Sequence, residues 1–69
     1  MTDTSFQVGE RAHCSVTLRG KVMVELEIMV LDDRGGCYVK VVIVNSSGPW
    51  SGDYPQGSSR DIPRHELSR

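Results

Sequence analysis

The sequence predicts an all-β fold: a small barrel of about five short antiparallel strands with one C-terminal helical turn. Three observations lead there. Apolar residues recur at every second position through three separate segments, the rhythm of an extended chain with one buried face. Short glycine-bearing turns separate those segments. The chain has 69 residues, enough for one domain, 1–69, with a marginal core. A flat three-stranded sheet would leave its apolar face wet, and curling the sheet on itself buries that face.

Residues 1–5 are polar and are expected to be disordered. "FQVGE" then alternates at Phe6 and Val8, and Gly9 punctuates it. From Glu10 to Leu18, Ala12, Cys14, Val16 and Leu18 share one face, and Arg11, His13, Ser15 and Thr17 the other. "RGK" supplies a tight turn, with Gly20 suited to positive φ. "KVMVELEIMVLDD" is the strongest signal: Val22, Val24, Leu26, Ile28 and Val30 hold one face without a break. Leu, Met and Glu also suit a helix, but a helix needs apolar spacings of three and four, and the spacing here is two. At about 3.3 Å per residue this segment would span ~36 Å, so it is expected to bend near its middle and serve two sheets. "DDRGG" closes it, and "CYVKVVIV" follows as a third strand. There Cys37, Val39, Val41 and Ile43 face one way, and Tyr38, Lys40, Val42 and Val44 the other.

A fifteen-residue loop from Asn45 to Ser59 comes next, then a short strand from Arg60 to Ile62. Pro63 cannot donate to a ladder and must lie at an edge or end the strand. "PRHEL" reads as one helical turn that returns Leu67 to the core.

The entry "FQVGERAHCSV", the bent "KVMVELEIMVLDDRGG" hairpin and the closing "IPRHEL" together resemble SH3-like small barrels, the group that includes Tudor, KOW and related bacterial or phage domains. Such barrels often open on F-x-x-G-x-x-V; here the equivalent positions are Phe6, Gly9 and Ala12, the last only a small apolar residue in place of valine. The resemblance implies a binding module, because loop aromatics of such domains hold proline-rich segments, methylated side chains or single-stranded bases. It also admits an oligomeric small-barrel enzyme. Type II dihydrofolate reductases build one site from four such subunits with a Val-Gln-Ile-Tyr stretch; the nearest segment here, "SRDIP", does not match it.

Eight basic residues against nine acidic ones give a formal net charge of -1, which argues against bulk electrostatic binding of duplex nucleic acid. No apolar run approaches the ~20 residues of a membrane span, and "MTDTSFQVGE" lacks the pattern of a signal peptide. Two cysteines are too few for a disulfide framework, so the expected compartment is the cytoplasm, with both thiols reduced. The bland expectation is a core Cys14, a partly buried Cys37 and two surface histidines. His13, Cys14, Cys37 and His65 show neither C-x₂₋₄-C nor H-x₃₋₅-H spacing, so no metal site is expected. No catalytic motif and no cofactor motif appears.

The long loop carries the functional question. It contains the only tryptophan, Trp50, and one of two tyrosines, Tyr54. Loops of this length without structure of their own are uncommon in compact domains. In one reading Trp50 folds back and caps the barrel, a burial worth roughly 1.5–3 kcal/mol. In the other, Trp50 and Tyr54 with Tyr38 and Asp53 form an exposed binding platform. Tyr54-Pro55 is also a position where a cis bond is affordable. Arg60, Arg64, Arg69 and His65 make a mildly basic end that could touch phosphates or an acidic partner.

Taken together these point to a module recognising a protein or peptide through Trp50, Tyr54, Tyr38, Asp53, Arg60 and Arg64. The alternatives are a nucleic-acid accessory domain using the C-terminal arginines with base stacking, and the oligomeric enzyme. Off-face apolar residues (Met23, Met29, Leu31, Val42, Val44) raise the expectation of a homo-oligomer.

Overall fold

The computed structural model describes residues 5–69; of residues 1–5, expected to be disordered, 1–4 lie outside the described part, and Ser5 O accepts a hydrogen bond from Arg69. Five strands follow the chain: β1 Arg11–Leu18, β2 Lys21–Asp32, β3 Tyr38–Ser47, β4 Ser59–Pro63 and β5 Leu67–Ser68. All pair antiparallel in one sheet of order β4-β3-β2-β1-β5. The hydrogen-bonded order ends at β4 and β5, so the sheet is open. The first hairpin turns through Arg19 (φ 53) and Gly20 (φ 78), two consecutive left-handed residues whose twist matches that of the flanking strands.

The core follows the two-residue rhythm. Val24, Leu26, Ile28 and Val30 of β2, Val39, Val41 and Ile43 of β3, and Ala12 and Cys14 of β1 are buried together, joined by Phe6 and Ile62. β2 does not divide between two sheets as its length suggests; it runs through a single sheet interrupted by register breaks. Each break leaves one residue without a ladder partner. Val16 pairs Val24 and Thr17 pairs Val22, which leaves out Met23. Glu27 pairs Asn45 and Ile28 pairs Ile43, which leaves out Val44; Val30 pairs Val41 and Asp32 pairs Lys40, which leaves out Leu31. Bulges of this kind bend a strand locally and re-aim its side chains.

They also correct the expected stripe. Thr17 lies on the outer face, so its partner Val22 lies there too, and Val22 is 44% exposed rather than inside. Leu18 at the hairpin tip is likewise exposed, and so is Cys37, which precedes β3. Three of the five off-face apolar residues, Met23, Leu31 and Val44, are thus the bulged residues; Met29 and Val42 pair across β2 and β3.

Strand β3 continues through Ser47, three residues past the expected end, and the loop is shorter than its sequence suggests. It holds a 3-10 turn, Ser51–Asp53, and a chain of backbone bonds: Ser51 N–H to Gly48 O, Asp53 N–H to Trp50 O, Tyr54 N–H to Ser51 O and Ser58 N–H to Pro55 O. The peptide bond between Tyr54 and Pro55 is trans, contrary to the cis alternative. A second 3-10 turn, Arg64–Glu66, follows Pro63 at the edge strand and returns Leu67 to the core as expected. Among the described residues no helix is long and apolar enough to cross a membrane.

Candidate functional site

The aromatic loop is tied to the bulge at Met23. Trp50 N–H donates to Met23 O at 3.0 Å. Gly48 holds φ +118, and a Cβ there would lie 2.7 Å from Met23 O, so glycine is required where loop and strand cross. At the far end Gly57 N–H donates to Ile43 O, and Ile43 N–H donates to Ser58 O, each at 2.8 Å. Between these anchors both aromatics are drawn inward. Trp50 and Tyr54 are half-buried and pack against the core cluster.

Tyr54 lies beside a groove of about 250 Å³ between β1 and β4. Cys14 and Val16 of β1, Leu26 of β2 and Ile62 of β4 form its apolar lining, with Tyr54 and Arg60 beside them and Asp61 and Glu66 completing it. This is the side on which the sheet stays open. The Arg60 guanidinium stacks on Tyr54, with its carbon 4.2 Å from the ring centroid. Its Nε is buried and finds no hydrogen-bond partner among the described residues. A buried donor left unsatisfied costs about 1–3 kcal/mol, so an acceptor brought to this cationic group would be favourable. The Cys14 thiol is pushed up by burial first and by the Glu66 carboxylate second, so it stays protonated near neutral pH and is a poor nucleophile.

The other expected site residues fall elsewhere. Tyr38 is 60% exposed at the start of β3 and borders a separate hollow with Arg34, Cys37, Lys40 and Asp61. Asp53 is exposed in the 3-10 turn. Tyr38 and Tyr54 thus line different hollows, and Tyr38 is not among the residues beside Tyr54 in the groove.

Arg64 is a clamp within the fold. Its Nη1 donates to Asp33 Oδ2 at 2.7 Å, its Nη2 donates to Asp33 Oδ1, and its Nε donates to Gly36 O at 3.0 Å. Asp33 also accepts from Phe6 N–H at 2.7 Å and Gly35 N–H at 2.9 Å. The Arg64 guanidinium, then those two amides, hold the Asp33 carboxyl well below the usual carboxylate range. One side chain thus joins the N-terminal segment, the β2–β3 turn and the last 3-10 turn. Asp33 belongs to the "DDRGG" turn, and the D-x-G spacing to Gly35 signals that local turn, but nothing local signals Arg64. Arg69 is engaged too: it donates to Glu10 Oε2 and Ser5 O and stacks on Phe6 with its guanidinium carbon 4.4 Å from the ring centroid. Of the C-terminal arginines, Arg64 and Arg69 are paired with acids inside the fold, and Arg60 faces the groove. His13 and His65 are exposed, and no cluster of metal-ligating side chains exists among the described residues.

Comparisons with protein-family models, with curated proteins and with solved structures find no match to this chain.

Proposed function

We propose that this chain is an SH3-like small barrel serving as a cytoplasmic binding or assembly module for a protein or peptide, and that the β1–β4 groove is its contact surface. The observation that carries the reading is Arg60: a cation stacked on Tyr54 beside an apolar groove, with a buried Nε that lacks an acceptor. A partner's oxygen would satisfy that donor, and an aliphatic side chain would fill the lining of Val16, Leu26 and Ile62. A cavity of about 250 Å³ lies below the ~300–1,000 Å³ of typical small-molecule sites, so it suits one side chain and its flanking backbone. The aromatic loop contributes by fixing Tyr54, with Trp50 as its anchor to β2. The nucleic-acid alternative is disfavoured because Arg64 and Arg69 already serve carboxylates of the fold.

Selection of a random peptide library against the purified chain tests this. Enriched sequences should bind at least about tenfold more weakly to Arg60→Ala and Tyr54→Ala, while Tyr38→Ala binds as the parent does. Binders indifferent to both groove variants would remove the groove from the reading.

A further inference from the structure

The groove is bordered by two strands whose outer edges lack a full partner. Among the described residues β4 pairs only with β3, and β5 covers β1 only at His13 and Cys14. The phase of the β3–β4 ladder is fixed at both ends: Ile43 N–H donates to Ser58 O, and Arg64 N–H donates to Cys37 O, each at 2.8 Å. Hydrogen-bonded positions alternate along an antiparallel pair. Arg60 and Ile62 therefore turn their backbone groups toward β3, and Ser59 and Asp61 turn theirs to the open edge. The same parity applies to β1. Val30 N–H donates to Glu10 O at 2.9 Å, so Ala12, Cys14 and Val16 bond to β2, and Ser15 points its backbone groups outward.

Unpaired edges of this kind are templates for strand addition. Their side chains set the length of the occupant. Pro63 offers no amide and ends the edge on one side, and the turn at Pro55–Ser58 ends it on the other. Arg60 and Ile62 lie on the face of β4 that lines the groove, and Arg60 Nε is buried there with no hydrogen-bond partner among the described residues.

We propose that the groove takes a short extended peptide by strand addition to β4. The backbone of such a peptide exchanges hydrogen bonds with Ser59 and Asp61, one of its carbonyl oxygens accepts from Arg60 Nε, and one aliphatic side chain enters between Val16, Leu26 and Ile62. This rests on the peptide-binding reading above and specifies its mode. An extended strand places alternate side chains inward, so one deep contact is made and the neighbours face solvent. Recognition then depends on backbone shape and one aliphatic anchor more than on a long side-chain code.

The probe is an acetylated, amidated pentapeptide of alternating threonine and leucine, compared with the same peptide N-methylated at alternate amides. Its binding is followed by amide NMR and by hydrogen exchange on the whole chain. Strand addition predicts shifts at Tyr54 and Arg60, slowed exchange at the Ser59 and Asp61 amides, and at least about fivefold weaker binding of the methylated peptide. Asp61→Pro removes an outward amide that the β3–β4 ladder does not use, so the fold should survive while affinity falls about as far. Should that variant not fold, the methylated peptide and the exchange data decide alone. Shifts at Tyr54 and Arg60 without protection of Ser59 and Asp61 would overturn strand addition and leave the groove reading standing. No shift at any groove residue would overturn both. The same amides protected without peptide, together with a concentration-dependent dimer by light scattering, would assign the edge to a second copy of the chain and overturn the peptide as occupant.

Discussion

The guanidinium of Arg60 stacks 4.2 Å from the ring centroid of Tyr54, although its Nε finds no hydrogen-bond partner among the described residues. Two opposed magnitudes follow. The stacking contributes about 0.5–1 kcal/mol, and the orphaned donor costs about 1–3 kcal/mol. Arg60→Met keeps the stem, removes both terms and should leave stability unchanged or slightly raised. Tyr54→Ala uncovers the core beneath it and should cost about 2 kcal/mol. Urea denaturation of the two variants checks this; a large loss in Arg60→Met would mean that the guanidinium is a structural group.

Asp33 is the acid on which three parts of the chain converge. Its folded pKa is depressed below its unfolded value, so its contribution is present above the ordinary aspartate pKa of about 3.9 and is lost as pH falls through the folded value. Asp33→Asn should be less stable than the parent at neutral pH, and the gap should narrow below about pH 4. Urea midpoints measured across that range test the sign. A gap that widens on acidification would contradict the assigned role.

Gly48→Ala places a Cβ against the Met23 carbonyl in a backbone conformation that L side chains rarely adopt. A loss of about 1–3 kcal/mol is expected, with Trp50 fluorescence shifted to the red as the loop lifts from β2. An unshifted emission maximum would show that Trp50 holds its place without the crossing.

The two thiols should differ sharply in reactivity. Cys37 is exposed, and Cys14 is buried with its pKa raised by that burial. An aromatic disulfide reagent at neutral pH should modify one thiol quickly and the second only at the rate of unfolding. Cys37→Ser should abolish the fast phase and leave the slow one. Because the Cys14 pKa is raised, its contribution to stability is full below the ordinary thiol pKa of about 8.5 and is lost as pH rises through the folded value.

Much of the fold was legible because burial on one face of a strand imposes a period of two on the sequence. Val24 to Val30, Val39 to Ile43, and Ala12 with Cys14 were placed inside on that rule alone, and they are inside. Val22 was misplaced because the break at Met23 inserts one residue into β2 and reverses the rhythm. Leu31 and Val44 mark the other two breaks, and apolar residues there look in the sequence like an extra sticky face. Tyr54 and Arg60 were both singled out, but so were Tyr38 and Arg64, and composition could not tell which pair would meet. Asp33 with Arg64, and Glu10 with Arg69, join residues 31 and 59 positions apart, and ion pairs at such separations leave no local signal.

Local backbone chemistry and one-face burial were enough to give the all-β class, the segments of β1 to β4, the turn at Gly20, the edge or strand-end position of Pro63 and the return of Leu67, but not β5, whose Leu67 reads as the end of a helical turn. The open sheet edge beside β4, the three bulged residues and the meeting of Tyr54 with Arg60 over a groove emerge only in three dimensions. Those depend on where distant strands come to lie, and long-range register is set by the packing of the whole core.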